Sequence, residues 1–210
     1  MRLRRVRHEA GEALGAIASP ACLAPLRAHA GDACLEVAQT CQLALQRIEH
    51  FQAQKDADAG GAQGPAPAGT PTAALRRCLL DEGARIFDRY RAMFALRNRG
   101  GPEAVAALAA AFACSASALL KHEAAYVLGQ MQDGAAVAEL RRVLGDAGEN
   151  PMVRHEAAEA LGSIAAPECL ALLQAFAADA EPIVADSCVV ALDMLAHEQS
   201  GEFQYADAGL

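Results

Sequence analysis

The chain is built on an internal repeat. His8 to Ala33 (HEAGEALGAIASPACLAPLRAHAGDA) aligns without a gap to His155 to Ala180 (HEAAEALGSIAAPECLALLQAFAADA), with 18 of 26 positions identical at an offset of 147. The correspondence continues through Val37/Val184, Cys41/Cys188 and Leu45/Leu192. A shorter period lies within the second copy, where LLKHEAAYVLGQM and MVRHEAAEALGSI place His122 and His155 33 residues apart. That is the length of one helical hairpin, a unit that buries its apolar face only by stacking on its neighbours. The chain therefore reads as an incomplete duplication of stacked units.

Within a unit the apolar residues follow helical spacing, as in Ala125, Leu128, Val137, Leu140 and Val143, with turn signals at Asp133-Gly134 and from Asp146 to Pro151. Aromatics make up only 4% of the chain, tryptophan is absent and no β-branched run alternates with period two, so no strand of consequence is expected. Helices are predicted over 3–18, 20–30, 34–52, 75–99, 102–113, 116–131, 134–144, 151–165, 168–178 and 182–197. Ser19-Pro20 and Ala166-Pro167 mark equivalent short turns, since proline is tolerated in a first helical turn. The fold class is all-α: HEAT-type helical-hairpin repeats in two pseudo-symmetric halves forming an α-solenoid. Residues 1–52 are the end of the first half and 75–198 the second. Between them, 53–74 is rich in Gly, Ala and Pro and reads as a flexible linker, because it lacks the apolar surface to offset its ordering entropy. Residues 199–210 read as a frayed tail.

A formal charge of -8 and a pI near 5.2 argue against nucleic acid, whose phosphates are neutralised by Lys and Arg, and favour a cationic partner. No stretch approaches the roughly 18 apolar residues of a membrane span, and Met1 to Arg5 lack a signal peptide's apolar core, so a cytoplasmic protein without membrane partners is expected. The seven cysteines are an odd count, and Cys22, Cys41, Cys169 and Cys188 sit among apolar helix positions, as reduced, buried small hydrophobes do.

Three dipeptides, His8-Glu9, His122-Glu123 and His155-Glu156, occupy one phase of the repeat, each followed by Ala and, four residues later, by Leu-Gly. Packed helices lie roughly 8–10 Å apart, so equivalent histidines on stacked helices can reach one metal ion about 2 Å from each nitrogen. Two imidazoles and a carboxylate form the facial set that leaves positions open on Fe(II), although ligand type also suits zinc. A single His-Glu would be an ordinary solvated pair at a helix start, but nothing in packing demands histidine in phase three times. His197-Glu198 is out of phase at a helix end, and it, His29 and His50 are assigned ordinary roles. Arg89, Tyr90, Phe94 and Leu96-Arg97-Asn98 read as packing with exposed arginine. Cys78, after Arg76-Arg77, offers no support for a nucleophile.

RYRAMFALRN at 89–98, LLKHEAAYVLGQM at 119–131 and MVRHEAAEALGSIAAPECL at 152–170 resemble the C-terminal half of the deoxyhypusine hydroxylase family, and HEAGEALGAIASPACL at 8–23 resembles the end of its N-terminal half. The resemblance covers the chain apart from Met1 to Arg5 and the linker. It implies a non-haem di-iron monooxygenase that uses O2 to hydroxylate the deoxyhypusine side chain of translation initiation factor 5A. It further implies one Fe(II) on His122, His155 and Glu156, a second taking His8 and Glu9, and Glu123 as a catalytic residue holding the substrate amines or supporting the metal site. One departure is expected to matter: at the 147-residue offset, residues 75–154 should have partners before His8, where seven residues stand. A fourth His-Glu is missing, as in a truncated gene model, splice product or alternative start, which would impair the second iron. Two other readings compete: a metal-free scaffold similar to phycobilisome lyase repeats, and a zinc hydrolase with a glutamate base.

Overall fold

Hydrophobic residues at helical spacing, punctuated by Pro, Gly and Asp, produce helices throughout. The computed structural model describes residues 2–57 and 69–200, and no strand occurs among them. In chain order the helices are α1 (Arg2–Ile17), α2 (Leu23–His29), α3 (Leu35–Ala57), α4 (Thr72–Leu80), α5 (Ile86–Arg99), α6 (Pro102–Ala109), α7 (Ala111–Cys114), α8 (Ala118–Met131), α9 (Val137–Gly145), α10 (Pro151–Ile164), α11 (Cys169–Phe176) and α12 (Pro182–Ser200). Single 3-10 turns at Pro20–Cys22 and Gly134–Ala136 lead into α2 and α9. Among the described residues no helix is long and apolar enough to cross a membrane.

Three predicted elements differ from what the structure has, one of them the helix expected over 102–113, which is divided at Ala110 into α6 and α7. The helix expected over 75–99 is interrupted after Leu80, because the Asp81 carboxylate accepts the Gly83 N–H at 2.9 Å and turns the chain. The Arg89 guanidinium then crosses back to the Leu79 carbonyl, satisfying an acceptor that the end of α4 leaves open. The segment expected to be a linker over 53–74 is helical at both ends, through Ala57 and from Thr72; its middle, 58–68, lies outside the described residues, as does the tail after Ser200.

The chain divides into two compact units, Met1–Ala95 with Ser115–Leu120, and Leu96–Cys114 with Lys121–Leu210, so the division falls within α5 and α8. In the first, α1 and α2 pack on α3 around a core of Cys22, Leu26, Val37, Cys41, Ala44 and Ile48. In the second, α10 packs against α9, α11 and α12. Val153, Ala157, Ala158 and Leu161 of α10 are fully buried. A leucine so placed contributes on the order of 1.5–3 kcal/mol over an exposed one. Cys22, Cys41, Cys169 and Cys188 are buried and reduced, as expected.

The repeat is written in the backbone as well. The three non-glycine residues with positive φ among the described residues, Ala18 (53°), Gln132 (49°) and Ala165 (53°), stand at one phase of the repeat, immediately after α1, α8 and α10. A left-handed residue there ends the helix and satisfies its last carbonyls. Three residues earlier stand Gly15, Gly129 and Gly162, where a Cβ would come within 2.8–2.9 Å of Ala44, Ala160 and Ala191. The missing side chain is what lets successive helices touch backbone to backbone.

Candidate metal centre

Helix α10 starts at a proline whose absent N–H costs nothing in a first turn, with the Asn150 side chain accepting the Met152 N–H. Within its next turn come Arg154, His155 and Glu156, all buried. Arg154 fixes the helix in place: its Nε donates to the Leu144 carbonyl at the end of α9, and its two terminal nitrogens reach Asp179 at 3.2 and 2.5 Å. This fork holds the Asp179 carboxyl below the ordinary carboxylate range.

With α10 fixed, His155 and Glu156 meet His122 of α8. The two imidazole rings are 5.4 Å apart at 52°, and His122 Nε2 lies 3.1 Å from Glu156 Oε2. One donor atom from each of His122, His155 and Glu156 falls within 4.8 Å of the others, the only such group of His, Cys, Asp and Glu among the described residues. Burial by itself would lower the His122 pKa, but the hydrogen bonds and charges of Glu123 and Glu156 reverse this and push it up to about 10. The site thus concentrates carboxylates around the His122 ring.

Glu123 stands apart from the three. Its Oε1 faces the Nδ1 side of His122 at 3.6 Å. Glu156 also lines a cavity of ≈ 280 Å³, together with Tyr126, Gln130, Glu159 and Met194.

In the first unit, His8 of α1 is 2% exposed. Its Nδ1 lies 2.7 Å from Thr40 Oγ1 and its Nε2 3.4 Å from Glu12 Oε1. Glu9 is exposed. The remaining histidines have ordinary surroundings: His29 Nδ1 bonds the Pro25 carbonyl, His50 packs on Phe51 and Phe87, and His197 lies in the last turn of α12.

Glu159 and Ser187 surround His155 without having been expected there, and Ser187 Oγ donates to Glu159 Oε1 at 2.8 Å. The signal was present. Glu159 aligns with Glu12 and Ser187 with Thr40 at the 147-residue offset, so carboxylate and hydroxyl recur with the histidine.

Comparison with known proteins agrees with this architecture. Residues 106–193 match a family of HEAT repeats, and residues 6–32 and 88–114 a family of PBS lyase HEAT-like repeats. The chain is 55% identical over 207 residues to human deoxyhypusine hydroxylase, spanning 96% of itself and 68% of that protein. It is 50% identical to the zebrafish (Danio rerio) protein of the same name, over 96% of the chain and 69% of the relative. A solved structure, human deoxyhypusine hydroxylase in complex with glycerol, superposes with a TM-score of 0.84 at 53% identity, over 91% of this chain and 68% of that one.

Proposed function

Because the chain belongs to the deoxyhypusine hydroxylase family, we propose that it is an iron-dependent hydroxylase acting in the cytoplasm on the deoxyhypusine side chain of translation initiation factor 5A. The observation that carries the reading is the meeting of His122, His155 and Glu156 within 4.8 Å in a chain 55% identical to a protein of that name. Two imidazoles and one carboxylate suit Fe(II) and leave coordination positions open. His8 and Glu9 are the ligands this chain would give a second iron.

Iron held there would supply the activation of O2, so that one oxygen atom could be inserted into a C–H bond and the other leave as water with two electrons from a reductant and two protons. The chain's own groups do the rest. To take a metal, His122 would have to give up the proton that Glu123 and Glu156 favour on it, so metal uptake would release a proton. Glu123 keeps the ring oriented from the Nδ1 side. The cavity beside Glu156 presents carboxylates of Glu156 and Glu159 with the apolar surfaces of Tyr126 and Met194. Such a lining fits the ammonium groups and methylenes of a long cationic side chain, and is consistent with the chain's net charge of -8.

The test is anaerobic Fe(II) titration of the chain beside a His122→Ala, His155→Ala double variant, followed by turnover with O2 and deoxyhypusine-bearing factor. Stoichiometric iron lost in the double variant, with hydroxylated product from the parent, supports the proposal. Iron binding indifferent to these histidines would sink it, and binding of zinc with no oxygen consumption would turn it to the hydrolase reading.

A further inference from the structure

His155 sits beside a hydroxyl whose single proton is already committed. Ser187 Oγ donates to Glu159 Oε1 at 2.8 Å, and the same oxygen lies 3.4 Å from His155 Nδ1. A serine hydroxyl has one proton to give, so toward the ring it can only accept. Glu159 Oε1, an acceptor as well, is 3.5 Å from the same nitrogen. Both neighbours of Nδ1 therefore require a proton on the ring.

We propose that Ser187 and Glu159 are positioning residues that hold His155 as the Nδ1–H tautomer, leaving the Nε2 lone pair for a ligand. The first unit repeats the hydroxyl half of this arrangement, while Glu12, aligned with Glu159, lies instead 3.4 Å from His8 Nε2. Thr40 Oγ1 donates its proton to the Glu36 carbonyl at 2.8 Å and lies 2.7 Å from His8 Nδ1, so it too can only accept from the ring. The hydroxyl stands 32 residues after the histidine in both units, although one is threonine and the other serine. What has been kept is the acceptor, not the residue. His122 lacks the device: 32 residues after it stands Arg154, and its ring nitrogens face Glu123 and Glu156 instead.

The physical gain is preorganisation. A neutral imidazole in water distributes its proton between two nitrogens and turns about two torsions. Held through Nδ1–H, it presents one lone pair in one direction, which is why metal-bound imidazoles commonly donate their other N–H to an oxygen. The meaning of this tether for catalysis rests on the iron reading, but the tautomer itself does not.

The experiment uses the full chain, metal-free and labelled with 15N-histidine, at about two pH units above the ordinary imidazole value of about 6.5. Nitrogen shifts are recorded for the parent, for Ser187→Thr and for the double variant Ser187→Ala, Glu159→Ala, and each is then titrated anaerobically with Fe(II). Expected are a protonated Nδ1 and an unprotonated Nε2 on His155 in the parent and in Ser187→Thr. In the double variant the two tautomers mix and Fe(II) binds about tenfold to a hundredfold more weakly. A parent His155 carrying its proton on Nε2, or a double variant with an unchanged tautomer, overturns the proposal. Tautomers that shift with no change in Fe(II) affinity leave the tether standing and instead overturn the assignment of His155 to the iron.

Discussion

Helices α1 and α10 are near copies in sequence and unlike in setting. In both, the arginine before the histidine pairs with an aspartate 25 residues on, Arg7 with Asp32 and Arg154 with Asp179. In both, the histidine is buried and its Nδ1 faces a hydroxyl. In both, a glycine meets an alanine of the helix behind, Gly15 against Ala44 and Gly162 against Ala191. The other face differs. Val6 is 63% exposed where Val153 is fully buried, and Glu9 is exposed where Glu156 is 7% exposed. Helix α10 has α8 against it, with Gly129 on Ala160, and it is α8 that brings His122. A His-Glu pair is thus only part of the cluster that His122, His155 and Glu156 form. The repeat anchors the imidazole by itself, but the cluster belongs to two adjacent repeats.

The arginines should separate the two helices most sharply. Arg154→Met leaves Asp179 and the Leu144 carbonyl unpaired inside the protein and should destabilise unit 2 by about 3–5 kcal/mol, whereas Arg7→Met breaks a pair whose arginine side chain is 43% exposed and should cost no more than about 1 kcal/mol. Urea unfolding of both variants measures this, and equal losses would mean the settings do not matter. Metal affinity comes next. His155→Ala should weaken Fe(II) at the 122/155/156 cluster by more than about a hundredfold, since even second-layer changes cost tenfold to a hundredfold, while His8→Ala should leave that cluster within about twofold. Calorimetric titration decides, and a comparable loss from His8→Ala would break the distinction.

A smaller effect concerns the close contacts. Gly162→Ala forces a methyl to 2.8 Å from three backbone and side-chain atoms of Ala191, and should cost about 1–3 kcal/mol despite the gain in helix propensity. At Gly15 the nearest backbone atom of Ala44 is at 3.3 Å, so Gly15→Ala should lose less, as a smaller fall in Tm. A pH dependence in unit 2 gives a further test. The folded-state pKa of His122, about 10, lies above the ordinary 6.5. Its pairing with Glu123 and Glu156 therefore contributes stability that is full below about pH 6.5 and is lost as pH rises through about 10. The metal-free parent should lose its Tm advantage over His122→Gln across that window. An advantage that stays constant from pH 6 to pH 10 would show that the carboxylates do not hold a proton there.

Much of this was legible in the residues. The 147- and 33-residue offsets, Pro151 and the Leu-Gly steps specified helical hairpins, their phase and the equivalence of the three histidines, because helix periodicity and capping are local and act within a few residues. The break after Leu80 was less visible, since Asp81-Glu82-Gly83 can continue a helix or turn it, and the Arg89 bond across the turn links residues ten positions apart. Glu159 and Ser187 were present as an aligned pair but carried no meaning until His155 stood between them.

The repeat, its helices and the family to which the chain belongs are all specified by the residues alone. Tertiary structure decided which of the phased pairs converge: His122 joins His155 and Glu156, Glu123 turns to the far side of His122, and Glu9 stays at the surface. The reason is one of range. Identical dipeptides on identical helices carry the same local instructions, but a ligand set needs atoms within about 5 Å contributed by different helices, and only their packing settles that distance.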